Sequence, residues 1–298
     1  GYNNTTINTV NATFSANWDL SWITKGLSVN GKMAYDVVQS FNKTWKKNWK
    51  YWKYDEITET YEEKTSANFT SPNLSESQNN CHTTTINANL NYDRDFNGHH
   101  VTALAGFEQS QFRRDKFNAS INKYDSDILD EFFAGTADKS YYDIGGSAAE
   151  TARRSFFGRL GYDYKSKYMI QGIIRFDGSE NFPKENRWGV FPGVSAGWRI
   201  SEEPFFAPAK KAIENLKVRY SYGTLRNQIV GDYYAHMRKI NISTQSYTFG
   251  TGTKPSVATI GAPVAGNLTW ETSAPNNIGI DAGFMNNIGS YYLVKHEY

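Results

Sequence analysis

The stretch Arg187 to Ile200, R-W-G-V-F-P-G-V-S-A-G-W-R-I, decides the fold. Read at every second residue it places Trp188, Val190, Pro192, Val194, Ala196, Trp198 and Ile200 on one side, and Gly189, Phe191, Gly193, Ser195, Gly197 and Arg199 on the other. Only an extended strand alternates its side chains with a period of two, so this segment predicts a β-strand with one wholly apolar face. Ten residues separate Trp188 from Trp198. At ~3.3 Å per residue they span roughly 33 Å, or roughly 25 Å along the bilayer normal for a strand tilted by about 40°. That length matches the apolar band of a membrane β-barrel, bounded at both ends by aromatic rings. Half-buried strands of water-soluble sheets alternate as well, but usually stop at about 5–6 residues.

Composition fits this reading. The 298 residues carry a net charge of +2, and 15% of them are aromatic, with 20 Tyr, 18 Phe and 8 Trp. Mean hydropathy is −0.63. No apolar run approaches the ~20 residues of a membrane-spanning helix, whereas a barrel puts only alternate residues against lipid and can be hydrophilic on average. A charge so near zero argues against nucleic acid as the main partner. The lone Cys81 allows no internal disulfide and no cysteine-based metal site.

Further alternating segments flank the reference strand. Val10 to Leu20 and Leu27 to Val37 form one pair across W-I-T-K-G, and His82–Arg94 and His100–Phe112 form another across D-F-N-G-H. Phe156–Tyr164 and Tyr168–Phe176 close around K-S-K, with Tyr164 and Tyr168 flanking the turn where an interfacial girdle places them. Lys217–Thr224, a segment near Tyr233–Tyr247, and Asn276–Phe284 before the turn M-N-N complete the set. Short helices are expected at Ser126–Gly135, with Ser126 as N-cap, and within Ser201–Asn215. The connections alternate short and long: 40–80, 113–153 and 226–271 are long, 177–187 is intermediate, and those near 20–26, 95–99, 165–167 and 286–287 are tight. Membrane barrels show this rhythm because one side carries turns and the other carries binding loops. Gly189, Gly193 and Gly197 on the small-residue side suggest a flat wall kept for a plug or a neighbouring backbone.

No G-x-S-x-G, H-E-x-x-H or Walker loop occurs, and G-T-G-T-K-P-S at 250–256 lacks P-loop spacing. No catalytic residues, cofactor or metal site are expected; Asp125, Asp127, Asp130 and Glu131 lack the EF-hand pattern. The candidate ligand residues are Trp45, Trp49 and Trp52, because flat aromatic rings cover the apolar faces of sugars. Loop packing or contact with another protein accounts for the same residues.

Several segments together resemble the SusC/RagA type of TonB-dependent outer-membrane transporter. They are D-L-S-W-I-T-K-G-L-S (19–28), V-T-A-L-A-G-F-E (101–108), Y-D-S-D-I-L-D-E (124–131), R-S-F-F-G-R-L-G-Y-D-Y-K-S-K-Y (154–168), R-F-D-G-S (175–179), N-R-W-G-V-F-P-G-V-S-A-G-W-R-I-S-E-E (186–203), L-K-V-R-Y-S-Y-G (216–223) and N-L-T-W-E-T (267–272). The resemblance implies an all-β, antiparallel transmembrane β-barrel in the outer membrane of a Gram-negative bacterium, a plugged barrel of ~22 strands. It also implies a SusD-like surface lipoprotein partner, energisation by the TonB complex and import of oligosaccharides or peptides. With about ten strands, residues 1–298 read as a partial barrel domain, without plug, TonB-box-like N-terminus or signal peptide. Alternation fades after Asn287, as in a truncated or frameshifted reading frame. A soluble or surface-exposed β-rich glycan-binding module, or a passive porin or adhesin barrel, are the competing readings.

Overall fold

The computed structural model describes residues 1–65, 71–229, 231, 233–244, 252, 256–284 and 289–297. Its strands are β1 (Tyr2–Asp19), β2 (Leu27–Lys46), β3 (Lys50–Asp55), β4 (Thr60–Thr65), β5 (Asn73–Phe96), β6 (His99–Ile121), β7 (Tyr142–Tyr164), β8 (Tyr168–Ser179), β9 (Trp188–Arg199), β10 (Ile213–Gly223), β11 (Leu225–Asn227), β12 (Ile240–Thr244), β13 (Ser256–Ile260), β14 (Glu271–Ser273), β15 (Asn276–Phe284) and β16 (Gly289–Glu297). Ten of them form one sheet in the order β1-β2-β5-β6-β7-β8-β9-β10-β15-β16, while β3-β4, β11-β14 and β12-β13 pair separately. Strands adjacent in the large sheet follow one another along the chain once the small hairpins are set aside. This is the antiparallel meander expected from the sequence, with its strand count.

Tight turns have local causes. Lys165 and Ser166 both adopt positive φ, at 53° and 55°, as do Asn97 and Gly98 at 48° and 89°. Two successive left-handed residues make the type I′ turn whose twist matches that of the flanking strands. Asn and Gly enter that region readily. At 165–166 the Asp163 carboxylate helps by accepting from the Ser166 amide at 2.6 Å.

Several sequence expectations need correction. The stretch 39–80 is not one exposed connection, since β2 runs on to Lys46, β3 and β4 form a hairpin, and β5 begins at Asn73. Likewise β6 extends to Ile121 and β7 starts at Tyr142, shortening the connection placed at 113–153, and β8 persists to Ser179. These extensions carry polar residues on both faces, so hydropathy alternation stops marking them as strand.

The helix expected at Ser126–Gly135 reduces to a 3₁₀ turn at Phe132–Ala134, with Glu131 in the N-cap position. Ser126 instead accepts from the Ile128 amide at 3.3 Å. In the 201–215 region, 3₁₀ turns at Ile200–Glu202, Pro204–Phe206 and Ala209–Lys211 replace the expected helix. Pro204 and Pro208 each remove an amide donor that a continuous helix requires. Near Tyr233–Tyr247, residues 233–236 form a turn and the strand is Ile240–Thr244; residues 245–247 lie outside the described set. The M-N-N turn at 285–287 lies outside it too. Residues Gly289–Glu297 pair with β15 even though their hydropathy pattern does not alternate.

The chain divides into two compact units. One comprises Gly1–Thr13, Ala34–Thr84 and Phe112–Glu150; the other comprises Phe14–Met33, Thr85–Gln111 and Thr151–Tyr298. In the first, Trp45, Leu74, Ile121 and Tyr124 form the buried cluster. Phe182, Phe191 and Trp270 form that of the second.

Candidate functional site

In the second unit, pairing registers put the apolar residues of β7, β8, β9, β10 and β15 into continuous rows. Tyr164, Tyr168, Trp198, Val218 and Ile280 stand opposite one another in turn, and the next row is Tyr162, Ile170, Ala196, Tyr220 and Ile278. Beyond these lie Leu160, Gly172, Val194 and Tyr222, then Phe156, Phe176 and Val190, with Trp188 beside Gly178. Val190 is 54% exposed and Val194 42%, and Ala196 is exposed as well. No second sheet covers this face among the described residues. A contiguous apolar surface this wide is unstable in water and demands an apolar medium or a partner.

The opposite face of the same strands is mostly polar, with Met169, Ile173 and Phe191 among its apolar members. Gln171, Ser195, Ser221 and Asn277 stand opposite one another across β8, β9, β10 and β15. A shallow cavity of about 380 Å³ runs along them, lined also by Asp163, Lys217 and Arg219. Arg219 donates to Asp281 at 3.1 Å. The glycines of β9 on this face leave space for the chain's own side chains. A Cβ at Gly189 meets the Phe191 ring at 2.5 Å, one at Gly193 meets Ile173 Cγ2 at 2.8 Å, and one at Gly197 meets Lys217 Cε at 3.2 Å. At Gly193 the β10 backbone also comes near, with the Tyr222 carbonyl oxygen 3.4 Å from such a Cβ, so local packing occupies the space above the series.

The polar face changes character where β8 and β9 meet the long connections. Asp177 is 1% exposed; it accepts from Arg175, whose Nη2 lies 3.3 Å away, and forms an ion pair with Arg226 on β11. The Arg175 guanidinium sits 4.7 Å from the Phe157 ring centre; that of Arg226 lies 5.7 Å from Phe191 and 5.6 Å from Trp270. Burial, with the neighbouring cations Arg175 and Arg153, pushes the Arg226 pKa down to about 10. Trp270 Nε1 donates to the Arg187 carbonyl at 3.0 Å, fixing the start of β14.

A β-barrel wall is defined by such a sheet, apolar on one face, polar on the other, with tight turns alternating with long connections. The model of the TonB dependent receptor-like β-barrel family matches residues 1–293. The chain belongs to that family. The TonB-dependent receptor SusC of Bacteroides thetaiotaomicron is 30% identical over 204 residues, 67% of this chain and 19% of SusC. A TonB-dependent receptor of Formosa agariphila is 33% identical over 193 residues, 64% of this chain and 18% of the relative. The chain thus spans about a fifth of the length of these curated relatives. Among solved structures, that of the RagAB peptide transporter superposes with a TM-score of 0.80 at 21% identity, covering 99% of this chain and 30% of that one. The SusC/RagA resemblance read from the sequence holds.

Within this family fold the expected site residues fall into two groups. Trp188, Val190, Val194, Ala196, Trp198, Tyr164 and Tyr168 all join the apolar rows, as the alternation required. The three loop tryptophans do not act together. Trp45 is 2% exposed and meets Tyr124 edge-on at 4.8 Å, so it serves packing rather than ligand contact. Trp49 and Trp52 remain open to solvent on and beside the β3-β4 hairpin, where Trp52 shares a face with Tyr54 and Tyr61.

Within the acidic run at 125–131, two lysines and the Tyr2 hydroxyl engage Asp127, Asp130 and Glu131. Lys43 lies 3.0 Å from Glu131, 3.5 Å from Glu76 and 4.0 Å from Asp130; Lys47 lies 3.7 Å from Asp127; and the Tyr2 hydroxyl donates to Asp130. Sequence reasoning missed the Asp177–Arg226 pair because β11 lies 49 positions downstream of Asp177. A signal was present in R-F-D, which puts Arg175 and Asp177 on one side of a strand.

Proposed function

We propose that residues 1–298 form a partial barrel domain in the wall of an outer-membrane, TonB-dependent nutrient importer. It takes up oligosaccharides or peptides together with a SusD-like surface lipoprotein and draws energy from the TonB complex. The uncovered apolar face of β7–β10 carries the reading, because its Tyr164, Tyr168, Trp198 and Trp188 rims bracket a band of bilayer thickness. Family membership and the likeness to SusC support the transport role. The wall performs no covalent chemistry. It presents lipid-facing side chains on one side and a polar lining on the other, and its exposed loop rings, Trp49 and Trp52, contact sugar.

Nitroxide labels at Val190, Val194, Ser195 and Gly197, placed singly in a Cys81→Ser background in lipid vesicles, test the orientation. Oxygen is expected to relax the labels at 190 and 194, and a water-soluble paramagnet those at 195 and 197. Equal access of the water-soluble reagent to both sets defeats the membrane reading and favours the soluble glycan-binding module.

A further inference from the structure

The polar face of the second unit holds an ionic cluster with more cations than carboxylates among the described residues. Three guanidiniums, those of Arg153, Arg175 and Arg226, meet two carboxylates, those of Asp177 and Glu108, with Arg153 Nη2 3.6 Å from Glu108. A third carboxylate, Glu271 on β14, is held by Asn227, whose Nδ2 donates to it at 2.9 Å, and does not line the cavity beside the cluster. That cavity, of about 240 Å³, is lined by Arg153, Ser155, Asp177, Arg226, Gln228 and Trp270, among others. At ~30 Å³ per water molecule this is room for roughly eight waters, or one sugar or amino-acid residue.

Two features of the lining specify a ligand. The Phe191 and Trp270 rings, 5.7 and 5.6 Å from the Arg226 guanidinium and 5.5 Å from each other, flank it on one side, and a guanidinium carries its N–H donors in its own plane, the geometry that recognises a carboxylate. Gln228 presents a buried Oε1 that has no hydrogen-bond partner among the described residues, while its backbone carbonyl is fixed by Asn181 Nδ2 at 3.1 Å. A buried acceptor left unpaired is unfavourable, so the site is complete only when a donor is supplied. An excess cation and a vacant acceptor lie in one cavity.

We propose that this cavity binds a carboxylate-bearing residue with an adjacent hydroxyl or amide donor, the carboxylate on Arg153 and Arg226 and the donor on Gln228. A uronic acid of an oligosaccharide and the C-terminal residue of a peptide share that chemistry. The site deepens the importer reading by naming the charge of the cargo, and it rests on that reading for its access from outside the cell.

Calorimetric titration of the detergent-solubilised receptor with two matched pairs tests it. Galacturonic acid is set against galactose, and N-acetyl-alanyl-alanine against its C-terminal amide. The acid of one pair is expected to bind at least about tenfold tighter than its neutral partner, as for a charge-assisted hydrogen bond. The pair that responds identifies the source. Arg226→Gln strands the buried Asp177, so Arg153→Gln and Gln228→Leu carry the test. Each is expected to weaken the acid severalfold without moving the unfolding temperature. Absence of saturable binding by both acids, equal binding of acid and neutral partner, or unchanged affinity in both variants overturns the site. Nitroxide alternation at 194 and 195 that persists in such a case leaves the importer reading standing, so the two fail separately.

Discussion

The apolar rows of β7–β10 and the buried cluster around Trp45 are both built on long antiparallel strands, yet they are specified differently. On β9, every second residue is apolar and no second sheet covers it among the described residues; its register is marked by that periodic pattern. A one-residue slip turns all those side chains into the polar face at once. Around Trp45, specification comes from individual contacts: Tyr124 meets the indole edge-on at 4.8 Å, and Ser71 Oγ both accepts from the Tyr124 amide and donates to its carbonyl at 3.0 Å. Medium-imposed order is periodic and tolerant of detail, whereas contact-imposed order is aperiodic and sensitive to single atoms.

The largest effect is therefore expected from Trp45→Ala. Removing a fully buried indole costs about 3–5 kcal/mol through lost burial and the cavity left behind. Hydrogen exchange is expected to accelerate at Tyr124 and Leu74 while the strands at 168–199 keep their protection. Uniform acceleration throughout the protein erases the distinction between the two regions.

Val194→Lys comes next, at ~2–4 kcal/mol for a cation in the middle of the bilayer. Its neighbour Ser195→Lys, pointing the other way, is expected to change stability by less than about 1 kcal/mol. Urea titrations of the two variants refolded into lipid vesicles give the ratio directly. Equal losses contradict a two-faced wall.

The same contrast explains what the amino-acid sequence made legible. Ten strands in a meander, the tight turns and the apolar face were readable because a face given over to apolar residues writes period two into Trp188–Trp198 and Phe156–Tyr164. Strand ends such as 113–121 and 142–153 were not, since polar residues occur on both of their faces and leave no alternation to read. Trp45 looked like a ligand residue because its type and loop-like surroundings were visible, while its partners, Tyr124 and Leu74, lie far away in the chain. The 126–135 helix was miscast for a related reason. Its acids, which favour a helix start, are instead engaged by Lys43, Lys47 and Tyr2.

Tyr124 also sharpens the comparison through pH. Burial, reinforced by the Glu76 carboxylate, pushes its pKa up to about 12. A raised folded-state pKa means that the stabilisation is complete below the unfolded value of about 10 and is lost as pH rises from there towards the folded value. Phenolate absorbance is expected to include a component that titrates near pH 12, its ionisation coinciding with loosening of the Trp45 cluster. In the Trp45→Ala variant that transition moves down towards pH 10. An unmoved transition separates the pKa from the packing.

The smallest effect is expected at Glu203, in the connection between β9 and β10. Its carboxylate accepts from the Tyr168 hydroxyl, from Trp198 Nε1 at 3.1 Å and from Lys167 Nζ at 3.2 Å. These bonds, the Tyr168 hydroxyl foremost, hold its pKa below the usual glutamate range. Stabilisation from a depressed carboxylate is present above its unfolded pKa, about 4.3, and disappears as pH falls through the folded value. Glu203→Gln is accordingly expected to speed amide exchange at Phe206 and Ala207, whose amides donate to the Glu203 and Pro204 carbonyls. The difference from the parent is present at pH 7 and fades below pH of about 4 as the parent's own carboxylate is protonated. Because Tyr168 and Trp198 belong to the apolar rim, the variant also asks whether that rim depends on its polar partner. Unchanged exchange at 206 and 207 at pH 7 means that the rings hold their places through contact with lipid alone, extending medium-imposed order to the edge of the band.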